Sequence, residues 1–160
     1  MVVQNYQNLS NFRTSNVNNM DNMFYYCSSM TSLDISNFDT SLVTKMSSMF
    51  YSCSNLTSLN LLSFRTSNVD NMESMFKYCI SLLSLDWSHF DTSSATNMAS
   101  MFYSCSKIKS LDLSHFITNR VNNFENMFKF CSTFTSLNLE NFDTSSANNM
   151  ASIFDGCYII

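Results

Sequence analysis

The hydrophobic residues of this chain form two patterns that alternate along it. In the first pattern, apolar side chains fall at positions i, i+3, i+4 and i+7, which is one face of a helix. An example is the run of Met46, Met49, Phe50 and Cys53. The position two residues before Met46, like its equivalents elsewhere, holds Asn, Asp or Thr, which are favourable N-caps. The pattern predicts recurrent helices of about two turns, which are too short to be stable without packing.

The second pattern predicts a short strand after each helix. Leu59 and Leu61 flank the polar Asn60, and this two-residue alternation indicates a strand with one buried and one wet face. Equivalent strands are expected to lie parallel, about 4.8 Å apart. Alternating short helices and parallel strands predict an α/β solenoid, in which each unit packs on its neighbours.

The two patterns recur every 26 residues without insertion or deletion. One column of identical residues is Cys27, Cys53, Cys79, Cys105, Cys131 and Cys157. Another is Thr14, Thr40, Thr66, Thr92, Thr118 and Thr144. We therefore expect one solenoid domain over residues 1–160, a right-handed stack of six coils. The expected coils are 1–26, 27–52, 53–78, 79–104, 105–130 and 131–156, with a short tail at 157–160.

Several strings carry a family resemblance: SLDLSHF, FDTS, NM, MFxxC, and Leu-x-x-Leu-x-Leu with a cysteine three residues before its first leucine. The chain resembles leucine-rich repeats of the cysteine-containing class, and more specifically the BspA-like repeats of microbial surface proteins. The resemblance implies a leucine-rich-repeat stack with an adhesion or protein-interaction role, displayed extracellularly or at a cell surface. The chain has Phe38 and its equivalents where such repeats place Asn or Cys after the strand, so the Thr40 column is expected to bond the turn backbone instead.

Composition excludes several function classes. A single glycine cannot form a phosphate-binding loop or a dinucleotide fingerprint, so no cofactor is expected. Eight basic residues and a net charge of -4 argue against nucleic-acid binding. No apolar run is long enough to span a membrane, and Met1 to Ser10 lack the features of a signal peptide. No catalytic constellation stands out, so we expect a non-enzymatic protein.

The cysteines and histidines are the candidate metal ligands. All six cysteines share one phase of the predicted helix, which favours free, buried thiols, and a single column cannot surround a zinc ion tetrahedrally. His89 and His115 lie one repeat apart and could share an ion, but a solvated pair is the simpler interpretation. We expect no metal site.

The wet face of the strands is the predicted recognition surface for a protein or glycan ligand. Its residues are Ser58, Asn60, Ser84, Asp86, Ser110 and Asp112. Asp86 and Asp112 are stacked carboxylates, an arrangement that can raise pKa values or recruit a cation. The simpler interpretation is that water and the flanking Asn60 and Asn138 dilute the repulsion.

Two alternative functions remain open. The chain could be the subunit of a head-to-tail filament, because apolar ends invite a second copy to stack. The end-stacking candidates are Gln4, Gln7, Leu9, Tyr158, Ile159 and Ile160. The Thr column could form a regular ice-binding ladder, although capping of turn backbone is the competing use of these hydroxyls. Asn8 and Asn55 begin possible glycosylation sequons.

Odd and even repeats also differ, which indicates a duplicated 52-residue unit. One alternating column is Arg13, Asp39, Arg65, Asp91, Ile117 and Asp143, where opposite charges are expected to face each other on adjacent coils. A second column alternates Tyr26, Tyr78 and Phe130 with Ser52 and Ser104.

Overall fold

The structure is a computed structural model that describes residues 6–7 and 9–158. Its strands are short and parallel. Strand β1 (Tyr6–Gln7) pairs with β2 (Ser32–Leu33), and β3 (Ser110–Asp112) pairs with β4 (Ser136–Asn138), each one repeat apart. Residues 58–60 and 84–86, which the pattern also predicts as strand, belong to neither a strand nor a turn in the structure.

A second ladder runs along the opposite part of each repeat. Single parallel bridges connect the equivalent positions Asn19, Lys45, Asn71, Asn97, Asn123 and Asn149. Each bridge joins residues 26 positions apart, so successive periods of the chain lie directly on one another. We refer to each 26-residue period as a coil.

The predicted helices are wrong, because the described residues contain no helix. Each run is instead a series of tight turns with two residues at positive φ, for example Asn22 at 59° and Tyr26 at 58°. Alternate N–H groups bond within the coil to the carbonyl three residues back, as Tyr25 does to Asn22. The remaining N–H groups bond outward, so a helical i→i−4 ladder cannot form.

These outward bonds all point the same way. Met20, Asn22, Phe24 and Tyr26 donate to the carbonyls of Lys45, Ser47, Met49 and Tyr51 in the next coil, at 2.8–2.9 Å. The same four donors recur at each later junction of the described stack. Backbone hydrogen bonds therefore run along the stack and replace those of the expected helices.

The apolar columns of the sequence fill one continuous core. The rings of one column stack with centroids 5.4–6.1 Å apart and planes within 14° of parallel. These rings are Phe24, Phe50, Phe76, Phe102, Phe128 and Phe154. The widest gap, 6.1 Å, separates Phe76 from Phe102, where the Trp87 ring packs edge-on against both. Phe64 and Phe90, predicted to occupy adjacent coils, are both buried in the same cluster.

The Thr column fastens adjacent coils, as expected for hydroxyls that cap turn backbone. The Thr66 hydroxyl donates to the Asp91 carbonyl at 2.9 Å and accepts the Asp91 N–H at 2.9 Å. The same pair of bonds joins Thr14, Thr40, Thr92 and Thr118 to the residue 25 positions further on. All five side chains are buried, with at most 4% exposed. These five buried hydroxyls cannot form an exposed ladder, which argues against ice binding by the Thr column.

Candidate binding surfaces

The predicted recognition surface is solvent-exposed in every member. We call it the polar face: Ser58, Asn60, Ser84, Asp86, Ser110 and Asp112. The local reason is the alternation in β3, where Leu111 is buried between the exposed Ser110 and Asp112. Asp112 lies directly beside Asn138 in the β3–β4 register. The structure therefore places these side chains on the surface, in consecutive coils.

One column of the polar face is held in a fixed orientation. The Oδ1 atoms of Asn60, Asp86 and Asp112 each accept the N–H two residues ahead at 3.0 Å. Asp34 and Asn138 do the same in the flanking coils. These are Asx turns, in which one side-chain oxygen stabilises the chain reversal after the strand. The other carboxylate oxygens of Asp86 and Asp112 are acceptors that a ligand could use.

The pKa values of Asp86 and Asp112 are lowered, so stacking of the two carboxylates does not raise them. Hydrogen bonds from the hydroxyl and N–H of Ser88 lower the pKa of Asp86, with a smaller contribution from His89 and His115. The N–H and hydroxyl of Ser114 lower the pKa of Asp112. Both carboxylates are therefore ionised at neutral pH, and the polar face is acidic there.

A surface cavity of about 420 Å³ opens beside these two carboxylates, lined also by Ser110 and His115. Nε2 of His115 lies 2.7 Å from the Trp87 carbonyl oxygen, so that nitrogen is a hydrogen-bond donor and not a free metal ligand. Trp87 beneath is 4% exposed, and its Nε1 has no hydrogen-bond partner among the described residues. The described residues contain no group of three or more His, Cys, Asp or Glu side chains placed to hold a metal.

The cysteines are free thiols, and the four central ones are fully buried. The sulfur of Cys105 donates to the carbonyl of Phe76 in the preceding coil, and Cys53, Cys79 and Cys131 make equivalent bonds. Burial raises the pKa of Cys53 and Cys131 to about 12. These thiols stay protonated at neutral pH, and their burial in the core agrees with the expected packing role.

A row of aromatic residues that the sequence interpretation missed lies beside the positive-φ turns. We call it the aromatic strip: Tyr25, Tyr26, Tyr51, Tyr78, Tyr103 and Phe130. Its successive rings lie 4.6–5.6 Å apart. The sequence signal for the aromatic strip is the alternation of Tyr26 and Tyr78 with Ser52. This alternation indicates a duplicated unit, but a position that accepts both Tyr and Ser is also typical of an outward-facing column.

A family model described as "Mycoplasma protein of unknown function, DUF285" matches residues 1–110 and 60–159. The chain belongs to this DUF285 family. The structure of the DUF285 chain is similar to the crystal structure of a leucine-rich repeat protein from T. pallidum, with a TM-score of 0.50 and 18% identity. The match covers 89% of this chain and 71% of that chain, and it supports a leucine-rich-repeat-like fold. No curated protein matches the sequence.

The charge column of the DUF285 chain does not form the expected ion pairs. Oδ1 of Asp39 accepts the Ser41 N–H at 3.0 Å, and Arg65 contributes only a minor lowering of the Asp39 pKa. In the described part of the chain, the ion pair found joins Lys129 to Asp155 at 2.9 Å. The alternating charges therefore lie on the surface without direct contact.

The ends and the sequons are only partly described. Gln4, Asn8, Ile159 and Ile160 lie outside the described residues. Among the other end-stacking candidates, Gln7 pairs through its backbone with Leu33, Leu9 packs against the core, and Tyr158 is 82% exposed. Asn55 is exposed, and its amide nitrogen donates to the Ser28 carbonyl at 2.8 Å.

The described residues contain no helix able to cross a membrane.

Proposed function

We propose that this DUF285 chain is a non-enzymatic interaction module that binds a protein partner through its polar face. The proposal rests on one observation: the exposed Asx side chains of consecutive coils are pre-oriented by 3.0 Å bonds to their own turns. A pre-ordered side chain loses little conformational freedom when it binds, which favours affinity. Right-handed stacking of six coils and display on a microbial surface, as the BspA-like resemblance implies, belong to the same proposal.

The partner should present positive charge and hydrogen-bond donors. Asp86 and Asp112 have lowered pKa values, so both carry negative charge at neutral pH. The cavity beside them has room for an arginine or lysine side chain from the partner. Arginine matches a carboxylate with two parallel N–H bonds, which makes it the better complement.

Binding of the fluorescently labelled chain to cultured animal cells tests this proposal. The double variant Asp86→Arg/Asp112→Arg should weaken binding, because it reverses the charge of the face. Asp86→Asn/Asp112→Asn is the sharper variant, because Asn60 and Asn138 already make the same Asx turn with an amide oxygen. This variant should fold normally and still bind less. Unchanged binding by both variants would exclude the polar face.

A second candidate is the filament subunit, and one observation favours it. The N–H groups of Met150, Ser152, Phe154 and Gly156 have no partner among the described residues, whereas their equivalents in earlier coils all donate to a following coil. A second copy of the chain could supply the missing carbonyls from its first coil. Negative-stain microscopy separates the two candidates: continuous fibres support the filament, and monodisperse short particles exclude it.

A further inference from the structure

The aromatic strip is a continuous row of rings along the stack axis. The Tyr25 and Tyr51 rings stack with centroids 4.6 Å apart, and Tyr51 meets Tyr78 edge-on at 5.5 Å. Tyr78 then meets Tyr103 at 5.2 Å, and Tyr103 meets Phe130 at 5.5 Å, also edge-on. Tyr26 is 60% exposed, Tyr25 45% and Phe130 43%. The row crosses five successive coils, with the two rings of Tyr25 and Tyr26 in the first coil and one ring in each later coil.

The fold does not require these rings. Tyr26, Tyr78 and Phe130 have φ angles of 58°, 63° and 60°, a region that bulky side chains rarely adopt. Equivalent positions hold Ser52, Ser104 and Gly156 at φ angles of 55°, 57° and 73°. Small residues therefore satisfy the same turn in alternate coils.

The charges around the aromatic strip limit the class of partner. Nζ of Lys77 lies 4.4 Å from the centroid of the Tyr103 ring. Lys129 lies over Phe130 but is paired with Asp155 at 2.9 Å. Two lysines, one of them neutralised, cannot offset the several phosphates that nucleic-acid binding requires. The strip is also a small surface for a protein partner, because each partner of a stable protein complex buries roughly 800 Å².

The chemistry of the strip fits an uncharged sugar polymer. Aromatic faces and edges pack against the C–H faces of sugar rings, and phenolic hydroxyls bond to sugar hydroxyls. Burial raises the pKa values of Tyr51 and Tyr78, so both hydroxyls remain protonated donors at neutral pH. The column two residues after Tyr26 adds further neutral hydroxyls, with Ser28, Ser54, Ser106 and Ser132 interrupted by Ile80.

We propose that the aromatic strip binds a linear, uncharged polysaccharide that lies along the stack axis. A repeating ligand then meets a repeating row of rings, so several weak contacts act together. This surface is separate from the polar face, and the proposal does not depend on the proposed protein partner.

The test is native affinity electrophoresis of the full chain in gels that contain hydroxyethyl cellulose, galactomannan or dextran sulfate. The strip variant is Tyr78→Ser/Phe130→Ser, which installs the residue already present at Ser52 and Ser104. Leu83→Ser is the matched control, because Leu83 is 57% exposed and lies outside the strip. Asp86→Asn/Asp112→Asn provides a second control that removes the charge of the polar face. Emission from Trp87 verifies that each variant is folded.

We expect a neutral polymer to retard the unmodified chain and both controls, and the strip variant to bind at least tenfold more weakly. Three results would overturn the proposal: no retardation by either neutral polymer, retardation by dextran sulfate alone, or equal retardation of the strip variant. Sedimentation of the chain without polysaccharide adds a fourth outcome. A dimer that the strip variant abolishes would assign the rings to self-association instead.

Discussion

Removing one hydroxyl from the Thr column should loosen the junction between two coils. Thr66 is 1% exposed and makes two hydrogen bonds of 2.9 Å to the N–H and C=O groups of Asp91. Thr66→Val keeps the shape of the side chain but removes both bonds. Each bond contributes about 1 kcal/mol net, so we expect the free energy of unfolding to fall by about 2 kcal/mol. Such a change reduces the folded-to-unfolded ratio roughly 30-fold.

The same column provides the controls. Thr66→Ser keeps the hydroxyl and loses one methyl group, which should cost about 0.8 kcal/mol. Thr144 is exposed and makes no such bonds in the described residues, so Thr144→Val should leave stability unchanged. Urea unfolding followed by fluorescence of Trp87, the single tryptophan, measures all three variants. Equal stability of Thr66→Val and Thr144→Val would refute the role of these hydroxyls.

Four further predictions concern the core, the turns and the surface. Cys105→Ser should lower stability by about 1–3 kcal/mol, and thiol titration should find the four central cysteines unreactive until the chain is denatured. Because Cys53 and Cys131 have their pKa raised from 9.0 to about 12, their contribution to stability is complete below pH 9 and should be lost as pH rises toward 12; urea midpoints across this range provide the measurement. Gly156→Ala should destabilise the last turn, because φ is +73° and the added Cβ would clash with the Phe130 ring, and hydrogen exchange there should accelerate. Arg65→Gln should not change the melting temperature, because Arg65 forms no ion pair with Asp39.

The sequence predicts the columns of this structure better than its local backbone. Cys79 was expected to be internal and is buried, because a residue type repeated at one phase occupies a common environment. Thr40 was expected to bond turn backbone, and its burial is a finding of the structure. The bonds of the Thr hydroxyls to turn backbone were also expected, because one hydroxyl recurs at the same position of every repeat. The polar face is also where it was expected, since alternation around Leu111 determines which side chains face the solvent.

The helix prediction failed for a physical reason. Two successive tight turns bring positions i, i+3, i+4 and i+7 inward just as a helix does, so hydrophobic spacing does not distinguish them. The distinguishing signal is at the positions that need positive φ, where Asn22 and Asn126 are residues that tolerate it and Gly156 is the single glycine of the chain. The aromatic strip was missed because Tyr26 and Tyr78 contradict that preference.

In the tight turns, the N–H bonds between coils run one way and outnumber the opposite bonds made by Thr44 and its equivalents, which gives the turn side of the stack an electrical polarity. In each coil the peptide groups that donate from Met20, Asn22, Phe24 and Tyr26, or their equivalents, have N–H directed toward the following coil and C=O toward the preceding one. A peptide unit carries a dipole of about 3.5 D, and aligned dipoles add. The positive end therefore lies at the last described coil and the negative end at the first, the reverse of an α-helix. The dipoles of these turns therefore make the end that holds Gly156 more favourable to an anion than the other end.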